Sequence, residues 1–386
     1  MIYLDYAAAT PIADDVLAAM QPYFSDVFYN PSATYLPAKQ AKEALEAARG
    51  KVAHWLGTHP TEVIFVAGGT EGNNLAIAGV MAHFPNCSVT VSGIEHESVL
   101  APARQFNCSV ALTTEQGRVD LDDLRSKISD TTVLVSVMYA NNEVGTVQPL
   151  GQIAAMLDEI RTARRQAGNT LPLYFHTDAC QAANYLDMHV SRLGVDMMTL
   201  NGGKLYGPKQ SGVLYAASHV QLEPVIRGGG QERGLRSGTE NVAAAVGFAE
   251  ALDAAQAMRA DEVKRLTELQ NQAYALIAEK LPQARINGST KTRLPNNLHI
   301  TLPDTDNERV LIKLENAGIL AAAGSACSAS DEEPSHVLRA MGLRESEARS
   351  SLRFTMGRAT THRDIETLVK TLETLIDSSS IGPSSR

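Results

Sequence analysis

The sequence predicts an α/β fold with a large, mostly parallel sheet domain and a smaller α+β domain. Short runs rich in β-branched residues alternate with segments of helical periodicity through most of the chain. Such alternation is typical of parallel strands joined by helices that cover both faces of the sheet. The length of 386 residues also exceeds what one hydrophobic core usually serves, which favours two domains.

The predicted strands of the large sheet are short and β-rich, as buried strands commonly are. They lie at residues 62–66, 88–92, 132–137, 172–175, 196–200 and 212–215. Helical patterns between them include residues 38–56 and 150–165. In the first of these helices an apolar stripe extends from Ala41 to Leu56, and Gly57 can end the helix.

The predicted domain boundaries follow changes in this pattern. The large domain is predicted to span residues 14–258, and residues 1–13 together with 259–376 are predicted to form the smaller domain. A charged segment near residues 259–264 interrupts a mostly helical stretch at this boundary. Residues 377–386 are rich in Ser, Gly and Pro, and we expect them to be a disordered tail.

Composition excludes several classes of function. The net charge is −9, with both signs interspersed, so we expect no direct contact with nucleic acid or anionic membrane. No stretch approaches the roughly 18 apolar residues of a membrane span, and residues 1–5 do not resemble a signal peptide. The four cysteines show no CxxC pairing, which favours reduced thiols in the cytoplasm, and no metal site is predicted.

Two segments carry residues suited to pyridoxal phosphate (PLP). Asp178 follows an apolar run, and Lys204 lies within the glycine-rich segment 202–208. A lysine can hold the PLP aldehyde as a Schiff base, and an aspartate can keep the pyridine nitrogen protonated. Glycines near the lysine allow the cofactor to approach the backbone closely. The alternative for any single lysine is an ordinary surface position.

Two further strand ends carry candidate cofactor ligands. Gly69 and Thr70 open a predicted helix, where free N–H groups and a hydroxyl favour a phosphate. A tight turn with a threonine N-cap explains them equally well. His96 follows another strand, where an imidazole can stack on a flat cofactor and move protons. A solvent-exposed loop histidine is the alternative.

Candidate substrate and nucleophile residues lie further along the chain. Asn142 offers an amide at a strand end, although a turn explains this residue equally well. Arg353 can bind a carboxylate with two N–H groups or form a structural ion pair. The loop 228–239 suits phosphate or carboxylate binding, or serves as a hinge. Cys327 lies among small residues in a predicted exposed loop, where a neighbour must lower its pKa from ~8.5 to make a reactive thiolate.

Together these segments resemble the NifS/IscS-type cysteine desulfurases of the aminotransferase class V group of PLP enzymes. The resemblance extends from residue 3 to about residue 358. The matching segments are Asn30–Ser32, Thr70–Glu71, Glu95–His96, Asn141–Gly145, His176–Gln181, Tyr206–Lys209, Gly228–Val242, Gly324–Cys327 and Ser351–Gly357.

The resemblance implies an aspartate-aminotransferase-type fold and a homodimer with its active sites at the subunit boundary. It implies that L-cysteine is converted to alanine while the sulfur forms a persulfide that passes to a sulfur-acceptor protein, for Fe–S cluster assembly, tRNA thiolation or another thiolation. The roles implied are Lys204 as the Schiff-base lysine, Asp178 on the pyridine nitrogen, Gln181 on the ring hydroxyl, His96 stacked on the ring, Thr70 and the other subunit's Thr239 on the phosphate, Asn142 and Arg353 on the substrate carboxylate, and Cys327 as the sulfur acceptor.

The segment before the lysine departs from the family pattern. The family usually has Ser-x-His-Lys, whereas this chain has Asn201, Gly202 and Gly203 before Lys204. Asn201 can still donate to a phosphate, but Gly203 has no side chain to do so. In addition, Tyr35 stands where a histidine is common. Two alternatives therefore remain open: a selenocysteine lyase or related β-eliminating enzyme, and a weakly active scaffold for partner proteins.

Overall fold

The computed structural model describes residues 1–324 and 334–380 of the chain. Short β-strands occur throughout these ranges. In chain order they are β1 (Ile2–Tyr3), β2 (Val63–Val66), β3 (Ser88–Ser92), β4 (Asn107–Ala111), β5 (Thr132–Ser136), β6 (Tyr174–Asp178), β7 (Met197–Asn201), β8 (Gly212–Ala216), β9 (Arg285–Ile286), β10 (Asn297–Thr301), β11 (Ile319–Leu320) and β12 (Ser351–Thr355).

The large sheet has the strand order β2-β8-β7-β6-β5-β3-β4. Neighbouring strands are parallel from β7 to β4, whereas β8 is antiparallel to both β7 and β2. Every residue of β3, β5, β6 and β8 is buried. Burial on both faces suits the apolar and β-branched residues of β5 and β8, whereas β3 (Ser88-Val-Thr-Val-Ser92) and the end of β6 (His176-Thr-Asp178) carry buried polar side chains. The predicted α/β class with a large, mostly parallel sheet is therefore confirmed.

The edge strand β4 is absent from the predicted strands. Its sequence, Asn107-Cys-Ser-Val-Ala111, is partly polar, and its burial is incomplete because only β3 pairs with it in the described sheet. An edge strand exposed to solvent needs no apolar run, so the hydrophobic pattern does not reveal it.

The helices cover both faces of this sheet and build most of the C-terminal part of the chain. They are α1 (Asp14–Met20), α2 (Pro22–Ser25), α3 (Leu36–Leu56), α4 (Gly69–His83), α5 (Glu97–Ala103), α6 (Leu121–Lys127), α7 (Leu150–Gln166), α8 (Val190–Leu193), α9 (Val242–Ala257), α10 (Arg259–Lys280), α11 (Asn307–Asn316), α12 (His336–Ala340), α13 (Glu345–Ala348) and α14 (His362–Ser380).

Helix α3 shows how local sequence sets helix bounds. It begins two residues before the predicted start, with Pro37 in its first turn, where the missing N–H is not needed. It ends at Gly57, which adopts the left-handed conformation (φ 64°) that glycine accommodates without steric cost.

At the other end of the chain, α14 extends to Ser380, into the predicted disordered tail. Helix propagation adds one hydrogen bond per residue, so an established helix can continue through serines; residues 381–386 lie outside the described residues.

The N-terminus packs with the C-terminal part of the chain. β1 pairs in parallel with β11, while β10 pairs in antiparallel fashion with β12 and β9. Leu4 belongs to the same apolar cluster as Leu298, Phe354 and Leu368, which is separate from the clusters around the large sheet. Among the described residues, no helix combines the length and apolarity needed to cross a membrane.

Candidate active site

The candidate site is a cavity at the carboxyl ends of the parallel strands. Its volume is about 600 Å³, including space that is open to solvent. Parallel strands end at the same edge of a sheet, so residues that follow different strands meet there. Among the described residues, nine of the predicted site residues line this cavity: Gly69, Thr70, His96, Asn142, Asp178, Gln181, Asn201, Lys204 and Arg353.

The other two predicted site residues are not in this cavity. Thr239 is exposed and lines a second cavity together with Glu232, Arg236 and Asn241. Cys327 lies outside the described residues.

Asp178 lies at the end of β6 and is held by two donors. Its Oδ1 accepts a hydrogen bond from the main-chain N–H of Cys180 at 2.9 Å, and its Oδ2 accepts one from Asn73 Nδ2 at 2.7 Å. The residue is only 7% exposed. Hydrogen bonds to a carboxylate are stronger than those between neutral groups, so they hold Asp178 in one orientation toward the cavity.

His96 is the N-cap residue of α5 and lies four residues after the end of β3. Its Nδ1 accepts a hydrogen bond from the main-chain N–H of Ser98 at 3.0 Å and lies 2.8 Å from Ser98 Oγ. Because the cap interaction occupies Nδ1, the ring orientation is set by the start of the helix.

Lys204 ends a single 3₁₀ turn, Gly202–Lys204, that follows β7. Its Nζ donates hydrogen bonds to the main-chain oxygen of Ala7, at 2.8 Å, and to that of Ala8. Gln181 Nε2 also donates to the Ala7 oxygen, at 3.0 Å. The N-terminal segment therefore lies directly against the lysine, a contact between residues nearly two hundred positions apart.

The end of the cavity near α4 suits a phosphate. A Cβ at Gly69 would lie 2.7 Å from Cys180 Sγ, so glycine is required at this close approach. Thr70 is exposed at the start of the same helix, whose free N–H groups favour an anion. Asn201 Oδ1 accepts a hydrogen bond from the Gly203 N–H at 3.0 Å. A phosphate-binding helix start, a lysine and a carboxylate are the donor set that PLP requires, so these residues fit that cofactor.

Arg353 lies on β12 and is 1% exposed. Its Nη2 donates to Asp5 Oδ1 at 2.8 Å, and its Nη1 donates to the main-chain oxygen of Asn142 at 3.0 Å. Its Nε is buried without a hydrogen-bond partner among the described residues. Because an unpaired buried donor is costly, this N–H favours an anionic ligand in the cavity.

Two buried residues behind the site have strongly shifted pKa values. Burial lowers the pKa of His176 to about 4, and the ring lies between Ser136 Oγ and Thr199 Oγ1. Burial, together with a smaller contribution from the nearby charge of Asp178, raises the pKa of Glu95 to about 8. Glu95 Oε1 accepts hydrogen bonds from Ser92 Oγ and the Met138 N–H, and these partly oppose the effect of burial.

The Glu95→Gln variant is expected to be less sensitive to pH than the wild type. Folded Glu95 retains its proton up to about pH 8, whereas in the unfolded chain it ionises near 4.5, so wild-type stability falls as pH rises between these values. From pH 6 to pH 8, the free energy of unfolding of the wild type should fall by about 2 kcal/mol relative to that of the variant. Urea unfolding at both pH values measures it, and the same pH dependence in both proteins would contradict the assignment.

Sequence patterns missed several residues of the site. Asn73 lies one helical turn after Thr70 in α4, and Ser98 follows His96 by two residues in the cap of α5. Their closeness in sequence to Thr70 and His96 could have indicated that they lie in the site. Neither residue type, however, is by itself typical of a PLP site. Asp5, the partner of Arg353, had no such signal. No cluster of three or more metal-binding side chains is present in the described part of the chain.

Comparison with known proteins identifies the family. Residues 2–368 match the family model described as aminotransferase class-V. The chain is 36% identical over 383 residues to a cysteine desulfurase IscS of Dictyoglomus turgidum, covering 97% of this chain and 94% of the relative.

Solved structures agree with this match. A structure described as a NifS-like protein aligns with a TM-score of 0.89 at 28% identity, covering 98% of this chain and 99% of that one. Another, described as "SspA in complex with cysteine", aligns with a TM-score of 0.78 at 33% identity, covering 92% and 99%. The predicted resemblance is thereby confirmed, and the chain belongs to the aminotransferase class V family, in the group of NifS/IscS-type cysteine desulfurases.

Proposed function

We propose that this chain uses PLP to convert L-cysteine to L-alanine, and that Cys327 receives the sulfur as a persulfide. The observation that carries the proposal is the convergence of Lys204, Asp178 and Arg353 on one cavity. An amine, a carboxylate and a guanidinium at one site suit a PLP enzyme that acts on an amino acid. The names of the relatives support the choice of cysteine as that amino acid.

Several residues of the cavity are proposed to hold PLP. Lys204 would supply the amine that bonds to the aldehyde, which requires its Nζ to leave the oxygens of Ala7 and Ala8. Asp178 would bind the pyridine nitrogen, Gln181 would bind the ring hydroxyl, and His96 would stack on the ring. Gly69, Thr70 and Asn201 would bind the phosphate. When bound, PLP supplies an acceptor for the electrons released at the substrate's α-carbon.

Arg353 and Asn142 are proposed to hold the substrate carboxylate. The main-chain oxygen of Asn142 and the carboxylate of Asp5 orient the guanidinium through its two Nη atoms. The unpartnered Nε–H remains to donate to a ligand. Arginine suits this task because its planar guanidinium matches a carboxylate with two parallel hydrogen bonds.

The sulfur step needs a nucleophile and a proton. The Cys327 thiolate would attack the substrate sulfur, so that a S–S bond forms while the Cβ–S bond breaks and its electron pair stays with Cβ. His96 would move the proton that Cβ takes up to give alanine. Gly324 and Ser335, which flank the segment carrying Cys327, both lie against Glu143. A Cβ at Gly324 would be 3.5 Å from Glu143 Oε2, and Ser335 Oγ donates to the same oxygen at 2.5 Å.

The proposed assembly is a homodimer in the cytoplasm that passes sulfur to an acceptor protein. Large apolar side chains are exposed within residues 17–36, including Phe24, Phe28 and Leu36 at 57%, 64% and 71% exposure. Exposed apolar clusters of this kind commonly mark protein interfaces. Thr239, which lines a separate cavity, would then bind the phosphate in the partner's site.

We also propose the predicted two-domain division, with residues 14–258 in one domain and residues 1–13 and 259–376 in the other. The pairing of β1 with β11 and the break between α9 and α10 at Met258 support it.

The direct test is incubation of the purified protein with PLP, L-cysteine and a reductant. Equal amounts of alanine and sulfide, together with a change in the visible absorption of bound PLP, are expected. A protein that stays colourless with PLP and forms no alanine would instead favour the scaffold function that Asn201 and Gly203 suggest.

Restoring the usual family residues is expected to tighten PLP binding. A Cβ at Gly203 would approach no atom closer than 3.5 Å, so a side chain fits there. Each added charge-assisted hydrogen bond contributes about 1.5–3 kcal/mol, so the double variant Asn201→Ser, Gly203→His should bind PLP about 10- to 100-fold more tightly. Absorbance titration of the apoprotein measures the dissociation constant. Gly203→Ala is the matched control, and equal tightening by that variant would contradict a role for the imidazole.

A further inference from the structure

We propose that Asn73 and Ser98 are positioning residues that join Asp178 and His96 in one chain of hydrogen bonds. The inference rests on the proposed function, in which Asp178 and His96 contact different parts of the same cofactor. We name the Asp178–Asn73–Ser98–His96 series the polar relay. It connects the end of β6, the first turns of α4 and the cap of α5.

The distances of the polar relay are those of well-formed hydrogen bonds. Asn73 Nδ2 lies 2.7 Å from Asp178 Oδ2 and 2.8 Å from Ser98 Oγ. Ser98 Oγ in turn lies 2.8 Å from His96 Nδ1. Asn73 is completely buried and Ser98 is 8% exposed, so bulk water competes little for these contacts. Interactions of this kind are stronger in a water-poor interior than at the surface.

The donor in each bond follows from the chemistry of the groups. An ionised carboxylate only accepts, so the amide nitrogen of Asn73, not its oxygen, must face Asp178. The second amide hydrogen then points to Ser98 Oγ. Because Ser98 Oγ accepts this bond, its own hydrogen is left to donate to His96 Nδ1, whose single lone pair it shares with the main-chain N–H of Ser98.

Two further observations support this order of donors. The main-chain N–H of Ser98 also donates to His96 Nδ1, at 3.0 Å, so this ring nitrogen is an acceptor. The neutral imidazole must then carry its proton on Nε2. Asn73 Oδ1, in contrast, is buried without a partner among the described residues. The amide is therefore oriented by Asp178 and Ser98, even though this leaves its oxygen unsatisfied.

The polar relay sets two orientations at once. A change in the charge of Asp178 alters the strength of its hydrogen bond with the Asn73 amide. The change passes through the hydrogen bond from Asn73 to the Ser98 hydroxyl and alters the electronic environment of His96 Nδ1. In the proposed reaction this couples the residue that binds the pyridine nitrogen to the residue that moves protons. Arg353 and Asn142, which are proposed to hold the substrate carboxylate, do not belong to it, so substrate binding should be unaffected when it is broken.

The first test is ¹⁵N NMR of the histidine-labelled protein, without and with PLP, with His96→Gln used to assign the His96 signals. In the wild type the chemical shifts should show a proton on Nε2 and none on Nδ1. Asp178→Asn should shift the ring nitrogens of His96. In a Ser98→Ala background the same change at Asp178 should shift them at least threefold less, whereas Ser98→Thr, which keeps a hydroxyl, should preserve the response.

The second test is steady-state kinetics of alanine formation. Ser98→Ala is expected to lower kcat about tenfold and leave KM for L-cysteine within about twofold. Ser126→Ala is the matched control, because that exposed hydroxyl bonds only to the main-chain oxygen of Asp123 among the contacts described, and it should change neither constant. Should Ser98→Ala not fold, Ser98→Cys, with a weaker donor, replaces it in both tests.

Three results would overturn the inference: a proton on His96 Nδ1 in the wild type, an equal response to Asp178→Asn in both backgrounds, or an unchanged kcat in Ser98→Ala. The NMR measurement on the protein without PLP does not require activity. A wild-type protein that forms no alanine therefore contradicts the proposed function, while alanine formation without NMR coupling contradicts the polar relay alone.

Discussion

Replacing Lys204 by alanine is expected to lower alanine formation from L-cysteine by on the order of 10³-fold or more. Among the described residues that line the cavity, Lys204 is the one lysine, so no other amine there can take its place. The measurement is borohydride reduction of the protein with PLP, followed by mass spectrometry, which should find the pyridoxyl label on the peptide that contains Lys204.

Lys209→Ala is the matched control for this experiment. Lys209 is close in sequence, but its Nζ lies 3.4 Å from the main-chain oxygen of Thr10, and the residue does not line the cavity. The Lys209→Ala variant should keep both the label and the activity. A label on any other peptide of the wild type, or full activity in Lys204→Ala, would contradict the proposed mechanism.

Cys327→Ser is expected to reduce sulfur transfer from L-cysteine by on the order of 10²-fold or more, because a serine hydroxyl cannot form a persulfide. The visible absorption of bound PLP should still change when L-cysteine is added, since Lys204, Asp178 and Arg353 remain. Alkylation followed by mass spectrometry should find the persulfide on Cys327 in the wild type and on no cysteine in the variant.

Cys108→Ser is the control for this second prediction and should keep sulfur transfer, because burial raises the pKa of the Cys108 thiol and makes a thiolate there unfavourable.

Turnover of selenocysteine by Cys327→Ser distinguishes a cysteine desulfurase from a selenocysteine lyase. Loss of activity on cysteine with full activity on selenocysteine would favour a selenocysteine lyase. Full sulfur transfer by Cys327→Ser would rule out Cys327 as the acceptor.

The sequence predicted most of the large sheet and most of the candidate site. The reason is that both depend on local patterns. Strands such as β5 and β8 are rich in apolar and β-branched residues because they are buried on both faces, and that pattern is visible without the structure. Asp178, His96 and Lys204 follow strand ends, and parallel topology alone brings strand ends to one edge of a sheet.

Contacts between distant segments could not be predicted in the same way. The bond between Asn73 and Asp178 joins residues 105 positions apart, and that between Arg353 and Asp5 joins residues 348 positions apart. No periodicity in the chain relates such pairs. The edge strand β4 was missed for a related reason. It is held in the sheet by its pairing with β3, and the residue pattern of β4 alone does not indicate that pairing.

The amino-acid sequence by itself determined which reactive groups this protein has: a lysine, an aspartate, an arginine and a cysteine in the segments of a PLP enzyme family. Only the tertiary structure decided how several groups in and behind the site are oriented and charged. Glu95 holds its proton to about pH 8 and His176 stays neutral down to about pH 4 because both are removed from water. Desolvation and hydrogen bonding depend on neighbours in space, and those neighbours come from segments far apart in the chain.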